Sequence, residues 1–163
     1  MELTRLKKKL VTALRGHKLL KDKRDELMRQ FLDLVRKNKA LRQKVEAALE
    51  SSNRRFMLAR AAMQDEALNT ALLAPKQEVF LECGTKNVMS VEIPQFTYKT
   101  RTPNQGDIFS YGFAFTSGEL DEAVESLSGI LPDLLRLAET EKPCQLMAAE
   151  IEKTRRRVNA LEH

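Results

Sequence analysis

The amino-acid sequence predicts a mainly α-helical protein, a long antiparallel two-helix coiled coil with a small β-hairpin insertion near its turning end. Two long segments repeat apolar residues every three and four positions, and a short segment between them alternates apolar and polar residues. The composition agrees, because only 6% of the 163 residues are aromatic, none is Trp, and 31% are charged. Long helices with narrow apolar seams have such a composition, whereas a compact core usually needs more aromatic volume.

The first predicted element is a long N-terminal helix, assigned to residues 1–74. These residues contain one Gly and no Pro. Their apolar residues recur on average every 3.5 positions, which is the heptad signature of a left-handed coiled coil. The predicted seam, three of whose members are polar, is Leu3, Leu6, Leu10, Ala13, His17, Leu20, Arg24, Leu27, Phe31, Leu34, Asn38, Leu41, Val45 and Ala48. Beyond Ala48 the register is expected to slip, so that Phe56, Ala59 and Met63 carry the stripe.

The second predicted element is a β-hairpin with a loop, assigned to residues 75–116. Pro75 ends the helix, because proline has no N–H to donate and clashes with the preceding turn. The segments EVFLE and VMSVEIP alternate as strands do, and CGTKN between them is the expected turn. The following TYKTRTPNQGDIFSYGF is rich in turn formers and predicts a loop. Because both faces of the hairpin carry apolar residues, we expect it to be a contact element and not part of a core.

The third predicted element is a C-terminal helix, assigned to residues 117–163. Thr116–Glu119 has the spacing of a capping box, in which a hydroxyl and a carboxylate satisfy free amides at a helix start. Proline inside a helix costs roughly 3 kcal/mol, so Pro143 predicts a kink or break between Thr140 and Cys144, with a shifted seam after it. The predicted seam is Leu120, Val124, Leu127, Leu131, Leu134 and Ala138, followed by Met147, Ile151, Thr154, Val158 and Leu161.

The pairing register of the two helices follows from the position of the turn. If the turn joins Leu72 to about Ser117, antiparallel pairing places His163 opposite about Glu26. The seam residues that then lack an intramolecular partner are Leu3, Leu6, Leu10 and Leu20. Burying apolar surface contributes about 25 cal/mol per Å², so the first twenty or so residues are expected to fray or to pair with a second copy.

The sequence predicts no catalytic, cofactor-binding or metal-binding site. It contains no GxxxxGK[ST] phosphate loop. Its two histidines, His17 and the terminal His163, support no Ser-His-Asp set, and together with Cys83 and Cys144 they do not have zinc-site spacing. Acidic pairs on the helices are expected to pair with Lys and Arg three or four residues away. The chain is therefore expected not to be an enzyme.

The formal net charge of +5 permits an acidic partner without requiring one. The basic runs LKKKL, HKLLKDKRDEL, RKNKALRQK and TRRR indicate either a surface that follows a phosphate backbone or a solvated helix face. Acidic residues interrupt most of these runs and no aromatic residues are interleaved for base stacking, which favours the solvated face. A basic coiled-coil module that binds nucleic acid stays an alternative. A membrane-surface helix is a third, and the narrow 3.5-residue stripe argues against it.

Three segments resemble the D subunit of the V-type and archaeal-type rotary ATPases. Residues 3–31, LTRLKKKLVTALRGHKLLKDKRDELMRQF, are similar to the N-terminal helix of that family. Residues 144–162, CQLMAAEIEKTRRRVNALE, are similar to its C-terminal helix, in which an arginine pair followed by VNALE is a close signature. Residues 86–94, KNVMSVEIP, resemble its hairpin strand more weakly.

The resemblance implies a non-catalytic central rotor shaft without cofactors, cytoplasmic and peripheral on the membrane as part of the ATPase. The implied partners are the F subunit of the central stalk, the ring of catalytic and regulatory A and B subunits, and the subunit that couples the shaft to the membrane rotor. Neither nucleic acid nor direct membrane insertion is expected. In the family the C-terminal helix runs further, so this chain is expected to be truncated. The expected partner-binding residues are Val79, Leu81, Met89, Val91 and Ile93 of the hairpin and Arg155, Arg156 and Arg157, which lie off the seam.

Overall fold

The computed structural model describes residues 2–114 and 116–162. Its elements, in chain order, are α1 (Glu2–Ala62), α2 (Asp65–Leu72), β1 (Val79–Val88), β2 (Val91–Thr100), a 3₁₀ turn (Gln105–Ile108) and α3 (Gly118–Glu162). The two strands form a hairpin, and the long helices α1 and α3 pack against each other. The predicted fold class, two long packed helices with a small hairpin between them in the sequence, is confirmed.

The chain divides into two compact units, each of which contains parts of α1, the hairpin and α3. The first unit is Met1–Asn38, Thr85–Pro94 and Thr140–His163. The second unit is Lys39–Gly84 and Gln95–Glu139. This division cuts across the three segments expected from the sequence, so their limits as domain segments stay a prediction.

The core of the first unit joins α1, the turn end of the hairpin and the C-terminal part of α3. Its buried side chains are Leu27, Val91, Met147 and Ile151. Partly buried apolar side chains that pack against them are Phe31, Leu34, Val88, Met89, Ile93 and Leu146. The expectation that the hairpin takes no part in a core is therefore wrong at its turn end.

The core of the second unit explains why the predicted first helix is two helices. Gln64 has an extended backbone (φ −73°, ψ 141°), and α2 begins at the next residue. No Gly or Pro marks this break in the sequence. The buried side chains of the second core are Ala59 of α1, Leu68 and Ala71 of α2, and Leu120 of α3. Because most helical stability in proteins comes from tertiary packing, this burial outweighs the local preference for one continuous helix.

One row of the heptad seam of α1 continues beyond Ala48. Val45, Ser52 and Ala59 are buried at intervals of seven residues, with exposed fractions of 2%, 4% and 0%. Phe56, which was expected to carry the stripe, is exposed. The predicted stripe after Ala48 is therefore wrong at Phe56, because the polar Ser52 occupies the buried seam position, whereas its members Ala59 and Met63 are confirmed as buried and partly buried.

One row of buried positions in α3 keeps the heptad repeat, whereas the second row, Leu120, Met147 and Thr154, shifts by one position as predicted, because Met147 lies 27 residues after Leu120. Ala123, Ile130, Ile151 and Val158 are buried at multiples of seven residues. The predicted seam positions Met147, Ile151, Thr154 and Val158 are confirmed as buried. The predicted positions Leu127, Ala138 and Leu161 are exposed, so the sequence pattern is wrong there.

Pro143 does not break α3, which runs as a single α-helix from Gly118 to Glu162. The proline itself is buried. A proline in a helix costs roughly 3 kcal/mol through its missing N–H and ring clash. Packing against α1 after the proline, in the Leu27–Met147–Ile151 cluster, offsets this cost, so the expected break is absent.

The start of α3 also differs from the prediction. The Thr116 hydroxyl donates to the carbonyl oxygen of Gly112 at 2.7 Å and so does not cap the helix. The carbonyl of Ser117 accepts the N–H of Leu120 at 3.1 Å, and the helix begins at Gly118. The predicted capping box at Thr116–Glu119 is therefore wrong, and the hydroxyl of Ser117, the residue before the helix, has no hydrogen-bond partner among the described residues.

The helices pair in a register different from the predicted one. In the first unit, His17 Nε2 lies 3.0 Å from Glu162 Oε1, and Lys23 Nζ lies 3.3 Å from Glu150 Oε1. His163 is outside the described residues, but its neighbour Glu162 lies beside His17 and not beside Glu26. The prediction was wrong because it assumed that the first helix extends unbroken to the turn. The exposure of Leu3, Leu6 and Leu10 is confirmed, whereas Leu20 is half-buried.

The hairpin turn lies at Met89 and Ser90 and not in the expected CGTKN segment, which belongs to β1. Both turn residues have positive φ, 53° and 71°. Two-residue turns with this conformation match the twist of the flanking strands, but they usually need Gly or Asn. The side-chain oxygen of Asn87 accepts the N–H of Ser90 at 3.0 Å, and Met89 packs on the first core. Tertiary contacts thus select a turn that the local sequence does not signal. The strand β2 runs to Thr100 and so includes the first residues of the segment expected to be a loop.

We expect Thr154→Val to raise the free energy of unfolding by about 1 kcal/mol, because an unsatisfied buried polar group costs about 1–3 kcal/mol. Thr154 is 1% exposed and its Oγ1 has no hydrogen-bond partner. Valine keeps the branched shape without the hydroxyl. Urea unfolding followed by circular dichroism would measure the change, with the exposed Thr12→Val on α1 as the control. A loss of stability in the Thr154 variant would show that its hydroxyl has a partner after all.

Candidate docking surfaces

The described part of the chain holds neither a group of three or more His, Cys, Asp and Glu placed to bind a metal ion nor a helix apolar and long enough to cross a membrane. Three surfaces are considered as candidate sites. They are the open end of the hairpin, the arginine face of α3, and the N-terminal part of α1.

The open end of the hairpin presents apolar side chains to solvent. Val79 and Leu81, both predicted partner-binding residues, are 38% and 43% exposed. Phe80 and Tyr98 are also exposed, and the sequence prediction missed both. An alternation rule could have included Phe80, because it lies between Val79 and Leu81 on the opposite face of the same strand.

The turn end of the hairpin faces inward. Val91 is buried in the first core, and Met89 and Ile93 are partly buried against Leu27, Met147 and Ile151 of that core. The structure thus separates the five predicted hairpin residues into an exposed pair and an inward-facing trio. Of these five side chains, Val79 and Leu81 are therefore the most accessible to a partner.

The three predicted arginines lie on the surface of α3. Arg155, Arg156 and Arg157 are exposed, and Arg156 is paired with Glu152 one turn earlier. Arg155 is at the rim of a shallow groove in the first unit, whose lining is Arg24, Asp25, Met28, Ala148, Ile151, Glu152 and Arg155. Exposed ion pairs contribute only about 0–1 kcal/mol each, so these side chains can exchange partners easily.

The N-terminal part of α1 combines exposed leucines with a concentration of positive charge. Leu3, Leu6, Leu10 and Leu14 are all at least 60% exposed. The charged residues of this segment are Arg5, Lys7, Lys8, Lys9, Arg15 and Lys18 against Glu2, a difference equal to the net charge of +5 of the whole chain. Both features are visible in the sequence, and the structure shows that the leucines and the charged side chains are exposed on the same helix segment.

The pKa shifts of three groups, those of Glu26, Tyr111 and Cys144, have local causes. Hydrogen bonds from Arg29 and Gln30 hold the pKa of Glu26 down to about 2, on the surface of α1. Burial raises the pKa of Tyr111, and its 2.9 Å hydrogen bond to Asp121 adds to the shift. Burial, together with Glu141, raises the pKa of Cys144. A raised thiol pKa lowers the thiolate fraction and hence the reactivity of this cysteine.

Comparison with known proteins identifies the family of the chain. The family model for the D subunit of ATP synthase matches residues 2–163. The chain is 60% identical over 163 residues to the V-type ATP synthase D subunit of Clostridioides difficile (strain 630), covering 100% of this chain and 73% of the relative. It has the same identity and coverage with that of Acetivibrio thermocellus. The identity is 57% over 164 residues with that of Clostridium botulinum, of which 76% is covered.

Two long packed helices with a hairpin between them in the sequence agree with this similarity along the whole chain. The chain belongs to the family of ATP synthase D subunits.

Proposed function

We propose that the chain is the non-catalytic central-stalk subunit, the rotor shaft, of a V/A-type rotary ATPase. It transmits torque between ATP hydrolysis or synthesis in the catalytic ring and ion transport in the membrane sector. The observation that carries the proposal is membership of the D-subunit family along the whole chain. The packed pair of long helices, α1 and α3, provides the mechanical element that the role needs.

Helices that transmit torque must resist sliding along each other. The polar contacts between α1 and α3 oppose such sliding. In the first unit the Asn38 amide donates to the Thr140 hydroxyl at 3.3 Å, in addition to the His17 and Lys23 contacts described above. In the second unit Lys44 Nζ lies 2.6 Å from Asp133 Oδ2. Such pairs form in one register only, and polar seam residues are known to select register.

The proposed partners are the F subunit of the central stalk, the ring of catalytic and regulatory A and B subunits, and the subunit that couples the shaft to the membrane rotor. The proposed location is cytoplasmic, on the membrane surface as part of the complex. The exposed Arg155, Arg156 and Arg157 are proposed to face the inner wall of the ring, where weak and replaceable contacts suit a rotating shaft. The open end of the hairpin, with Val79 and Leu81, is proposed to contact a partner such as the F subunit.

We expect the purified chain to hydrolyse no ATP and to raise or restore ATP turnover when it is added to a ring of A and B subunits. A coupled assay of ADP release measures both, and a chain unfolded by heating before addition is the control. The physical reason is that, in the proposed role, the chain supplies the central shaft on which the turnover of the ring depends. It supplies no reacting group of its own. Hydrolysis by the pure chain that disappears on changing one of its own residues would contradict the proposal.

A further inference from the structure

The hydrogen-bond register of the hairpin identifies which backbone groups point away from it. The N–H of Arg101 is bonded to the carbonyl oxygen of Glu78 at 2.9 Å, so these two residues face each other across the strands. Backbone groups alternate in direction along a strand. In the open end of β1, Phe80 and Glu82 therefore bond toward β2. Val79, Leu81 and Cys83 direct their N–H and C=O groups away from it.

The outer edge of β2 is already blocked. By the same alternation, Pro94 and Phe96 direct their backbone nitrogens outward. Pro94 has no N–H, and the N–H of Phe96 is accepted by the Glu139 carboxylate of α3 at 3.0 Å. Proline and a covering element are the two common means by which sheet edges avoid pairing with other strands.

The outer edge of β1 carries no such protection over Val79–Gly84. This stretch contains neither Pro nor Lys, and the side chain of its one charged residue, Glu82, already lies 3.5 Å from Lys99 on the neighbouring strand. The sheet has two strands in the described part of the chain, so no third strand covers this edge. Exposed, apolar and unblunted edge strands are templates for a further strand.

We propose that the edge of β1 at Val79, Leu81 and Cys83 binds an extended segment of another ATPase subunit as a third strand. The outward N–H and C=O groups recognise its backbone. The side chains of Val79 and Leu81 on one face, and of Phe80 on the other, select a segment that is apolar on both faces, rich in β-branched and aromatic residues. Strand addition to an open sheet edge is a general mode of peptide recognition. The inference deepens the proposed contact of the hairpin and rests on the proposed function, because it needs a complex to assemble with.

The test is Leu81→Pro against Leu81→Val, each assembled with the other stalk and ring subunits. Proline removes an N–H that points outward and leaves the β1–β2 bonds intact, whereas valine keeps the N–H and a similar apolar side chain. Because the proline variant loses one backbone hydrogen bond to the partner, we expect it to assemble about tenfold more weakly. The valine variant should match the unchanged chain. Phe80→Pro, which removes an inward N–H, shows what disruption of the hairpin itself would do.

Amide hydrogen exchange of the unchanged chain gives an independent readout, resolved to single amides by mass spectrometry. The amides of Val79, Leu81 and Cys83 should exchange at least tenfold more slowly in the complex than in the isolated chain. Equal exchange in both would overturn strand addition. Concentration-dependent protection in the isolated chain would also overturn it, since a second copy would then occupy the edge. If the Leu81→Pro variant assembles and supports turnover as the unchanged chain does, strand addition fails and the stalk proposal stands. If the unchanged chain does not assemble, both fail.

Discussion

Replacing Leu27 by alanine is expected to lower the free energy of unfolding by about 2–5 kcal/mol, the range found for buried leucines. Leu27 is 0% exposed and contacts the core formed with Val91, Met147 and Ile151. Three elements from distant parts of the chain meet at this side chain, so neighbouring atoms can fill the cavity only by moving the hairpin or α3. Urea unfolding followed by circular dichroism would measure the loss.

The matched control is Leu32→Ala, five residues further along the same helix. Leu32 is 47% exposed, and alanine is the better helix former, so the change should stay within about 0.5 kcal/mol. Equal losses for the two variants would show that Leu27 is not in a packed core. Hydrogen exchange around Met147 and Ile151 should also become faster in the Leu27 variant alone, because these residues share the cluster.

Leu120→Ala is expected to have a similar effect on the second unit, again about 2–5 kcal/mol. Leu120 is 0% exposed and packs with Ala59, Leu68 and Ala71, so it joins α3 to both α1 and α2. Loss of this contact should also destabilise α2, whose eight residues are too few to form a stable helix alone. Hydrogen exchange over Asp65–Leu72 would therefore show the largest increase.

Leu127→Ala is the control, because Leu127 lies seven residues after Leu120 on the same helix but is 52% exposed. Heptad counting from the sequence assigns both leucines to the seam, whereas the structure buries only the first. A loss for Leu127→Ala within about 0.5 kcal/mol agrees with the structure. A loss as large as that of Leu120→Ala would favour the seam predicted from the sequence.

The comparison of Leu120 and Leu127 shows what sequence periodicity predicts about burial and what it does not. Apolar spacing reports a helix and its approximate seam, because residues three and four apart share a face. It does not distinguish a buried seam residue from an apolar residue beside the seam. In this chain the true seam includes Ser52 and Thr154, both buried. Ser52 interrupts the apolar pattern of α1, so the exposed Phe56 was assigned to its stripe, and in α3 the exposed Leu127 and Leu161 were assigned to the seam.

The candidate surfaces were likewise predictable from the sequence only in part. The exposure of Arg155, Arg156 and Arg157 followed from their position off the seam. Val79 and Met89 looked alike in the sequence, as apolar residues of one hairpin, yet one is exposed and the other packs on Leu27, Met147 and Ile151. Only the position of the turn distinguishes them, and the turn residues Met89 and Ser90 carry no Gly or Asn signal.

The order of helix, hairpin and helix was determined by local properties of the sequence: apolar spacing, the alternation around residues 79–93, and the helix stop at Pro75. The break at Gln64, the continuity of α3 through Pro143, the turn at Met89 and Ser90, and the pairing of His17 with Glu162 were decided by the tertiary structure. Each depends on contacts between residues far apart in the chain. The burial energy of such contacts exceeds the local conformational preferences of about 1–3 kcal/mol that sequence patterns report.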